Sequence, residues 1–361
     1  MSGMMSTIKS IANRVSSLLD SAIAAKVFPG AAAAVITSEG CQIITAGKHT
    51  YDLKSPAVTP DSVYDVASLT KVLPVSCCAL KLIEQGKLAL DDQLITFVPE
   101  FTGSFREQIT VHHLLTHTLD STLRLSMCKD DHPDDLFRKI LDMQLQSPPG
   151  THFNYSNATS ILLGLVLESC TGKSLDLLGD EYFFKPLRMT RTGFKPIAFA
   201  PLEEIVPSEI DPWRGGVVVG KVHDESAWKL VPRVVGSAGL FSTITDSARF
   251  ACALLKSFNS SEGIFTPQYA SRIITNQLND STGQCTGLGW ELNQESFMGR
   301  FRTASTFGKT GFTGCSIIAD PSKMRAGILL SNHIFPQRRE SRAQINSLRS
   351  SFADCIFGQI N

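Results

Sequence analysis

The sequence predicts a mixed α/β (α+β) protein: an antiparallel sheet flanked by helices, built from both ends of the chain, with a mostly helical domain inserted between them. Three observations lead there. The N-terminal end reads as a helix and then a β-hairpin, and the C-terminal end as a hairpin and then a helix. The long middle carries apolar residues mostly at helical rather than strand spacing.

Over residues 6–26, Ile8, Ile11, Val15, Leu18, Leu19 and Ile23 recur three and four apart, as on one face of an amphipathic helix. Phe28-Pro29-Gly30 ends it. AAAAVIT and CQIITAG then flank Ser38-Glu39-Gly40, a hairpin pattern. From 61 to 289 the clearest helical patches are VHHLLTHT (111–118), ATSILLGLVLESC (158–170) and DSARFACALLK (246–256). Gly86 and Gly172 fall where helix C-caps are expected. Residues 195–240, rich in Pro, Gly and Val, read as loop or short strand. A second hairpin, GCSIIAD and AGILLSN around Pro321-Ser322-Lys323, precedes a helix over 338–357 with Ile345, Leu348, Phe352 and Ile356 on one face. Residues 1–60 and 290–361 are therefore expected to form the sheet domain and 61–289 the helical one.

Composition narrows the function classes. The 361 residues are 43% apolar and 19% charged, enough for one large core or two moderate ones. Lys+Arg and Asp+Glu balance at 34 each, so no overall charge draws the chain to nucleic acid or an anionic membrane. No window approaches the eighteen or so apolar residues of a membrane span. The nine cysteines, from Cys41 to Cys355, show neither disulfide nor zinc-ligand spacing and read as small core residues. The first twenty residues lack a continuous apolar run, so the expected location is cytoplasmic, the periplasm being the alternative if a signal peptide once preceded the chain.

The chemistry-bearing candidates start at DVASLTK. Ser68 and Lys71 lie three apart at the head of the apolar stretch VLPVSCCALKLI. On a helix, residues so spaced share a face. A serine hydroxyl needs a base beside it, and a lysine serves only where burial or a nearby cation lowers its pKa. The plain alternative is a helix N-terminus with a solvated lysine. Ser-x-x-Lys recurs at Ser6/Lys9, Ser126/Lys129 and Ser226/Lys229, in a terminal helix, a charged run and a polar loop. Tyr155-Ser156-Asn157 at a loop-to-helix junction can present a phenol and an amide, or be an Asn N-cap after a packed aromatic. Lys309-Thr310-Gly311 offers an ammonium, a hydroxyl and open backbone, or is a solvated lysine at a turn. Neither Gly308-Lys309-Thr310 nor Gly172-Lys173-Ser174 has the earlier glycine of a P-loop, and Gly-x-Ser-x-Gly is absent. His112, His113 and His117 lack the zincin glutamate and read as structural. The neighbours His223-Asp224-Glu225 rarely converge on one ion, so no metal site is expected.

Taken in order, Ser-x-x-Lys, Tyr-x-Asn and Lys-Thr-Gly resemble the serine β-lactamase and penicillin-binding-protein superfamily in its class C-like branch, with family VIII carboxylesterases and D-amino-acid peptidases. VYDVASLTKV, LIEQGKLALDDQL, ITVHHLLTHT, SPPGTHFNYSN, GSAGLFSTITDSARF, GLGW and GKTGFTG are similar to family segments in family order, from about 27 to 350. The resemblance implies a β-lactamase/transpeptidase-like fold with the site between the two domains. It implies Ser68 as the acylated nucleophile, Lys71 as its base and Tyr155 as proton shuttle. Asn157 would orient the substrate, and Lys309, Thr310 and Gly311 would bind it, with Lys309 on a carboxylate. The N–H groups of Ser68 and Phe312 would form the oxyanion hole. No cofactor is implied. The substrate would be a small ester, amide or β-lactam, esters first, with D-peptidase activity and a catalytically silent relative as alternatives. Two features depart or discriminate. His117-Thr118-Leu119-Asp120-Ser121 stands where the family usually reads His-Thr-Ser-Gly-Leu. Lys309 stands where esterase-like relatives often carry histidine or tryptophan.

Overall fold

A computed structural model describes residues 7–278 and 284–359. Ser6, of the Ser6/Lys9 pair and the expected first residue of the N-terminal helix, lies outside the described residues. Among the described residues there are ten strands: β1 (Gly30–Thr37), β2 (Gly40–Gly47), β3 (Tyr64–Asp65), β4 (Glu209–Asp211), β5 (Gly216–Val218), β6 (Phe241–Ser242), β7 (Glu291–Leu292), β8 (Phe307–Thr310), β9 (Ser316–Asp320) and β10 (Arg325–Ser331). Six form one antiparallel sheet in the order β2-β1-β10-β9-β8-β7, so the first and last hairpins meet where β1 pairs with β10, Ala31 opposite Ser331. The other strands make the two-stranded ladders β3-β6 and β4-β5.

β1 is buried along its whole length, and its side chains alternate between two cores. Ala31, Ala33 and Val35 meet Ile11, Val15 and Leu19 of the helix Thr7–Ala24 and Phe352 and Ile356 of the helix Ala343–Phe357. Ala32, Ala34 and Ile36 face the larger core, where the helix Ile244–Lys256 lies on β1, β9 and β10. The run of alanines lets helices approach both faces closely. The last helix starts at Ala343 rather than at 338, because Arg338 instead turns to Glu209 and Glu225, and Ser341 Oγ accepts from Ala343 N. Residues 195–240 hold β4, β5, three 3-10 turns and the short helix Glu225–Lys229. Gly86 and Gly172 take left-handed backbone after the helices Cys77–Glu84 and Asn157–Thr171. No described helix is long and apolar enough to cross a membrane.

Candidate active site

The serine of DVASLTK sits on a turn held from behind by Asp65, at the end of β3. Asp65 Oδ1 accepts from Ala67 N at 2.8 Å and its Oδ2 from His223 N at 2.7 Å. Burial pushes this carboxyl up, and the two N–H bonds pull against that. Ala67, next to Ser68, takes a left-handed φ of 49°, uncommon for a residue with a Cβ. The structure corrects one expectation here: Ser68 does not head the α-helix. Residues Ala67–Lys71 form a 3-10 turn and Val72–Ser76 a wider one, and the α-helix begins at Cys77. Pro74 has no N–H and holds Leu73 extended (φ −117°, ψ 108°), which breaks the regular winding. In a 3-10 turn residues i and i+3 eclipse, and Lys71 Nζ meets Ser68 Oγ at 3.2 Å.

Lys71 is buried, and its Nζ also donates to Asn157 Oδ1 at 2.8 Å and to the Ser237 carbonyl at 2.7 Å. Asn157 is free for this because Ser156, not Asn157, caps the helix Asn157–Thr171, its Oγ accepting from Ala158 N. Asn157 Nδ2 donates to Asp224 Oδ2 at 2.8 Å. A lysine only donates and a carboxylate only accepts, so the two bonds fix which way the amide points. Ser237 reaches Lys71 because Gly236 presses on the same helix; a Cβ there would lie 2.2 Å from the Ser160 carbonyl.

Tyr155 borders the same cleft as Ser68. Its ring opens to the cleft (40% exposed) but is flanked by two lysine nitrogens, Lys309 Nζ at 4.3 Å and Lys71 Nζ at 5.2 Å from the centroid. Burial pushes the phenol up, but Lys309, Lys71 and a hydrogen bond with Ser68 outweigh it and leave the hydroxyl below its ordinary pKa. Lys309 on β8 is 2% exposed, and its Nζ donates to Glu291 Oε1 at 2.6 Å. β7 pairs Glu291 with Gly308, which sets the carboxylate beside this lysine. Burial works against the charge, but Glu291 and Tyr155 hold the Lys309 pKa above its ordinary value. His117 ends the helix Val111–Thr116 in a left-handed conformation, its ring 4.8 Å from that of Tyr155. Burial, then the charges of Lys309 and Lys71, drive its pKa well down, so the ring is neutral at pH 7.

Thr310 and Phe312 border the same cleft, about 520 Å³ in volume, together with Ser68, Tyr155, Asn157 and Glu291. Gly311 lies against the Val66 carbonyl, 2.6 Å from where its Cβ would be. The Phe312 ring stacks on His223 at 5.5 Å, and Arg342 lies 4.7 Å from its centroid. Thr313 Oγ1 donates to the Asp65 carbonyl at 2.8 Å, so Asp65 ties the serine turn to this loop and to the His223 loop.

The residues of the Ser-x-x-Lys, Tyr-x-Asn and Lys-Thr-Gly segments, Ser68, Lys71, Tyr155, Asn157, Lys309, Thr310, Gly311 and Phe312, gather at one place, with Lys71 and Lys309 buried. Ser126 of a rival pair also borders the cleft, but its Lys129 lies over the Trp213 ring, and Ser226 donates to Asp224. His223, Asp224 and Glu225 bind three different partners: Glu209, Asn157 and Arg338. Among the described residues no His, Cys, Asp or Glu group could hold a metal ion. Sequence reasoning missed Asp65, Ser237 and Glu291 and did not connect His117 or Asp224 to the site. Single acids and a backbone carbonyl have no spacing to betray them, and only the position of Glu291 directly after GLGW was a signal.

Relatives share this frame. A curated protein of Escherichia coli (strain K12) named "Putative D-alanyl-D-alanine carboxypeptidase" is 29% identical over 307 residues, covering 76% of this chain and 70% of that protein. The "N-acetylmuramyl-L-alanine amidase" of Bacillus subtilis (strain 168) is 28% identical over 359 residues, covering 88% and 80%. Among solved structures, a class C β-lactamase superposes with a TM-score of 0.75 at 19% identity over 98% of this chain and 99% of that one. EstCE1, "a hydrolase with promiscuous acyltransferase activity", gives 0.74 at 19% over 97% and 99%. At such identity the structures speak for the fold, a β-lactamase/transpeptidase-like one. The sequence pattern of the Beta-lactamase family matches residues 15–348, nearly the whole chain, and the protein belongs to that family of serine hydrolases.

Proposed function

We propose that the chain hydrolyses small esters or amides through an acyl-enzyme on Ser68, acting chiefly as a carboxylesterase with weak β-lactam hydrolysis beside it. The observation that carries this is the placement of Ser68 Oγ 3.2 Å from the buried Lys71 Nζ, with Tyr155 beside it on the same cleft. Ser68 Oγ attacks the carbonyl carbon while Lys71 takes its proton. The Ser68 and Phe312 N–H groups hold the developing oxyanion. The bond to the leaving alkoxide or amine breaks, and Tyr155 relays the proton to it. A water, activated by Tyr155, then adds to the acyl-enzyme, releasing the acid and restoring Ser68. Asn157, held by Asp224, keeps Lys71 aimed and orients the substrate. Lys309 and Thr310 border the bound substrate, with Gly311 giving room for it. The ammonium of Lys309 already has the Glu291 carboxylate at 2.6 Å, so a substrate carboxylate must share it; this favours uncharged esters.

The second reading, a D-amino-acid peptidase, is favoured by the names of the curated relatives and by the lysine of Lys309-Thr310-Gly311. In the same reading the sheet domain is 1–60 with 290–361, the helical domain is 61–289, and the cleft lies between them. The nine cysteines, all free thiols, support a reducing, cytoplasmic setting.

The test labels the wild type and Ser68→Ala with a fluorophosphonate and a fluorescent penicillin and maps the modified peptide. Label confined to Ser68 is expected; label elsewhere, or none, overturns the mechanism and leaves a silent binding protein. Turnover of a p-nitrophenyl ester against a chromogenic cephalosporin and a D-alanyl peptide ranks the activities. Lys309→Ala should raise KM for carboxylate-bearing substrates if that lysine binds them, and an unchanged KM removes the role.

A further inference from the structure

Beside the cleft lies a second cavity of about 590 Å³, within the usual size range of small-molecule pockets. Its lining is mostly apolar, although Lys195, Lys221 and Arg233 also border it. The cleft around Ser68 is ringed by charged and polar groups, among them Asp224, Glu225, Glu291 and Arg338. Phe194, Val222, Trp228, Val234 and Val235 line the second cavity, and Ile197 and Val231 stand exposed at 71% and 59% by its mouth.

The two spaces share one wall residue, Ala238. Its neighbour Ser237 gives its carbonyl to Lys71 Nζ, itself in hydrogen-bond contact with Ser68 Oγ. Ala238 therefore stands one residue beyond the nucleophile's own hydrogen-bond chain. Its side chain is a single methyl group, so the partition between the reacting centre and the apolar cavity is thin. Next to it Gly239, with φ 111°, has no Cβ; one placed there would meet Phe194 and Val222 at 3.6 and 3.7 Å. Two small residues in succession, Ala238 and Gly239, therefore leave little side-chain bulk between the two spaces.

We propose that the apolar cavity receives the acyl chain of the substrate, so that the preferred substrates are esters of medium-chain aliphatic acids. This rests on the acyl-enzyme at Ser68. With the ester carbonyl at Ser68 Oγ, the acyl chain runs past Ala238 into the cavity and the alcohol part faces the polar cleft. Attack forms the Ser68 Oγ–acyl bond and breaks the ester C–O bond, with the serine proton leaving on the alcohol. Water then cleaves the acyl-enzyme to serine and the carboxylic acid. The chain stays seated through both steps, so its burial favours each.

The experiment measures kcat/KM for p-nitrophenyl esters from acetate to decanoate, in the wild type, in Val231→Trp at the mouth and in Val235→Phe on the wall. Each methylene buried should raise kcat/KM about fourfold until the cavity is full. Val231→Trp, at an exposed position that tolerates bulk, should flatten that rise and leave acetate turnover unchanged, and Val235→Phe should shorten the optimum. A flat series in the wild type, or equal losses on acetate and octanoate in Val231→Trp, overturns the proposal. A rise with alcohol length in a series of alkyl acetates, and none with acyl length, also overturns it, because the cavity then takes the other half of the ester. A wild type that is labelled at Ser68 by the fluorophosphonate and hydrolyses p-nitrophenyl acetate, but shows no chain-length slope, refutes this inference alone. A wild type that neither labels nor hydrolyses acetate refutes the Ser68 reading and this one with it.

Discussion

Glu291→Gln removes a charge and keeps the shape of the side chain that faces Lys309. The pair it breaks is short, 2.6 Å, and Lys309 is 2% exposed, while the Glu291 side chain is 26% exposed. Removing one partner of a fully buried pair costs about 3–5 kcal/mol. A quarter-exposed carboxylate and the acceptor retained by glutamine reduce that to roughly 1–3 kcal/mol. For a chain of this length the loss lowers Tm by about 1–4 °C. The Lys309 pKa is raised in the folded protein, so its stabilisation is complete below the ordinary lysine value and is lost as pH rises through the raised one. The gap between wild type and variant is therefore full at neutral pH and closes in strong alkali. The same change moves the phenol. Glu291 pushes the Tyr155 pKa up against the pull of Lys309 and Lys71, so without it the hydroxyl titrates lower still. The assay is a pH profile of kcat/KM on p-nitrophenyl acetate beside thermal unfolding of both proteins. The limb reporting Tyr155 should move to lower pH. An unmoved limb together with an unchanged Tm would refute the pairing as the control on this tyrosine.

Three further outcomes are expected. The Glu209 carboxyl is buried, which raises its pKa, but His223 and Arg338 hold it down to about 2. Its stabilisation is present above the ordinary glutamate value and lost as pH falls toward 2. Allowing for the half-exposed Arg338, acid titration should cost the wild type about 2–3 kcal/mol more than Glu209→Gln between pH 5 and 2. Asp224→Ala frees Asn157 Nδ2 and should lower kcat about tenfold with KM little changed, since the amide then no longer fixes Lys71; an equal fall with a raised KM would point to a general loss of structure. Gly289→Ala puts a Cβ 2.0 Å from Ser76 Oγ at a residue with φ 84°, and should destabilise by roughly 2 kcal/mol or more, read as a lower Tm in calorimetry.

The two hairpins, the terminal helices and the helices around residues 160 and 250 were legible in the sequence because apolar periodicity is local. An apolar side chain three or four residues from the next declares a helix face whatever lies across from it. Ser68, Lys71, Tyr155, Asn157 and Lys309 were legible because each sits in a short motif of fixed order. What the motifs do not contain is the second member of each contact. Nothing near Lys309 in sequence calls for Glu291, because the two meet only when β7 pairs with β8. Nothing near Ser68 calls for Ser237, whose carbonyl arrives by way of the Gly236 contact with the helix Asn157–Thr171. The 3-10 turn beneath Ser68 escaped for a related reason. Apolar periodicity does not register the break at Leu73 and Pro74, and the left-handed Ala67 is held by its N–H donating to Asp65 Oδ1.

The sequence by itself determined the layered α+β architecture and the types of group gathered at the candidate site, since periodicity and ordered motifs are properties of neighbours along the chain. Tertiary structure alone decided what surrounds each of those groups: which carboxylate faces Lys309, which lysines flank Tyr155, and that Ala238 stands between the polar cleft and an apolar cavity. Charge and room at a reacting centre depend on everything within a few ångströms, and strand pairing and close helix contacts bring those atoms from far apart in the chain.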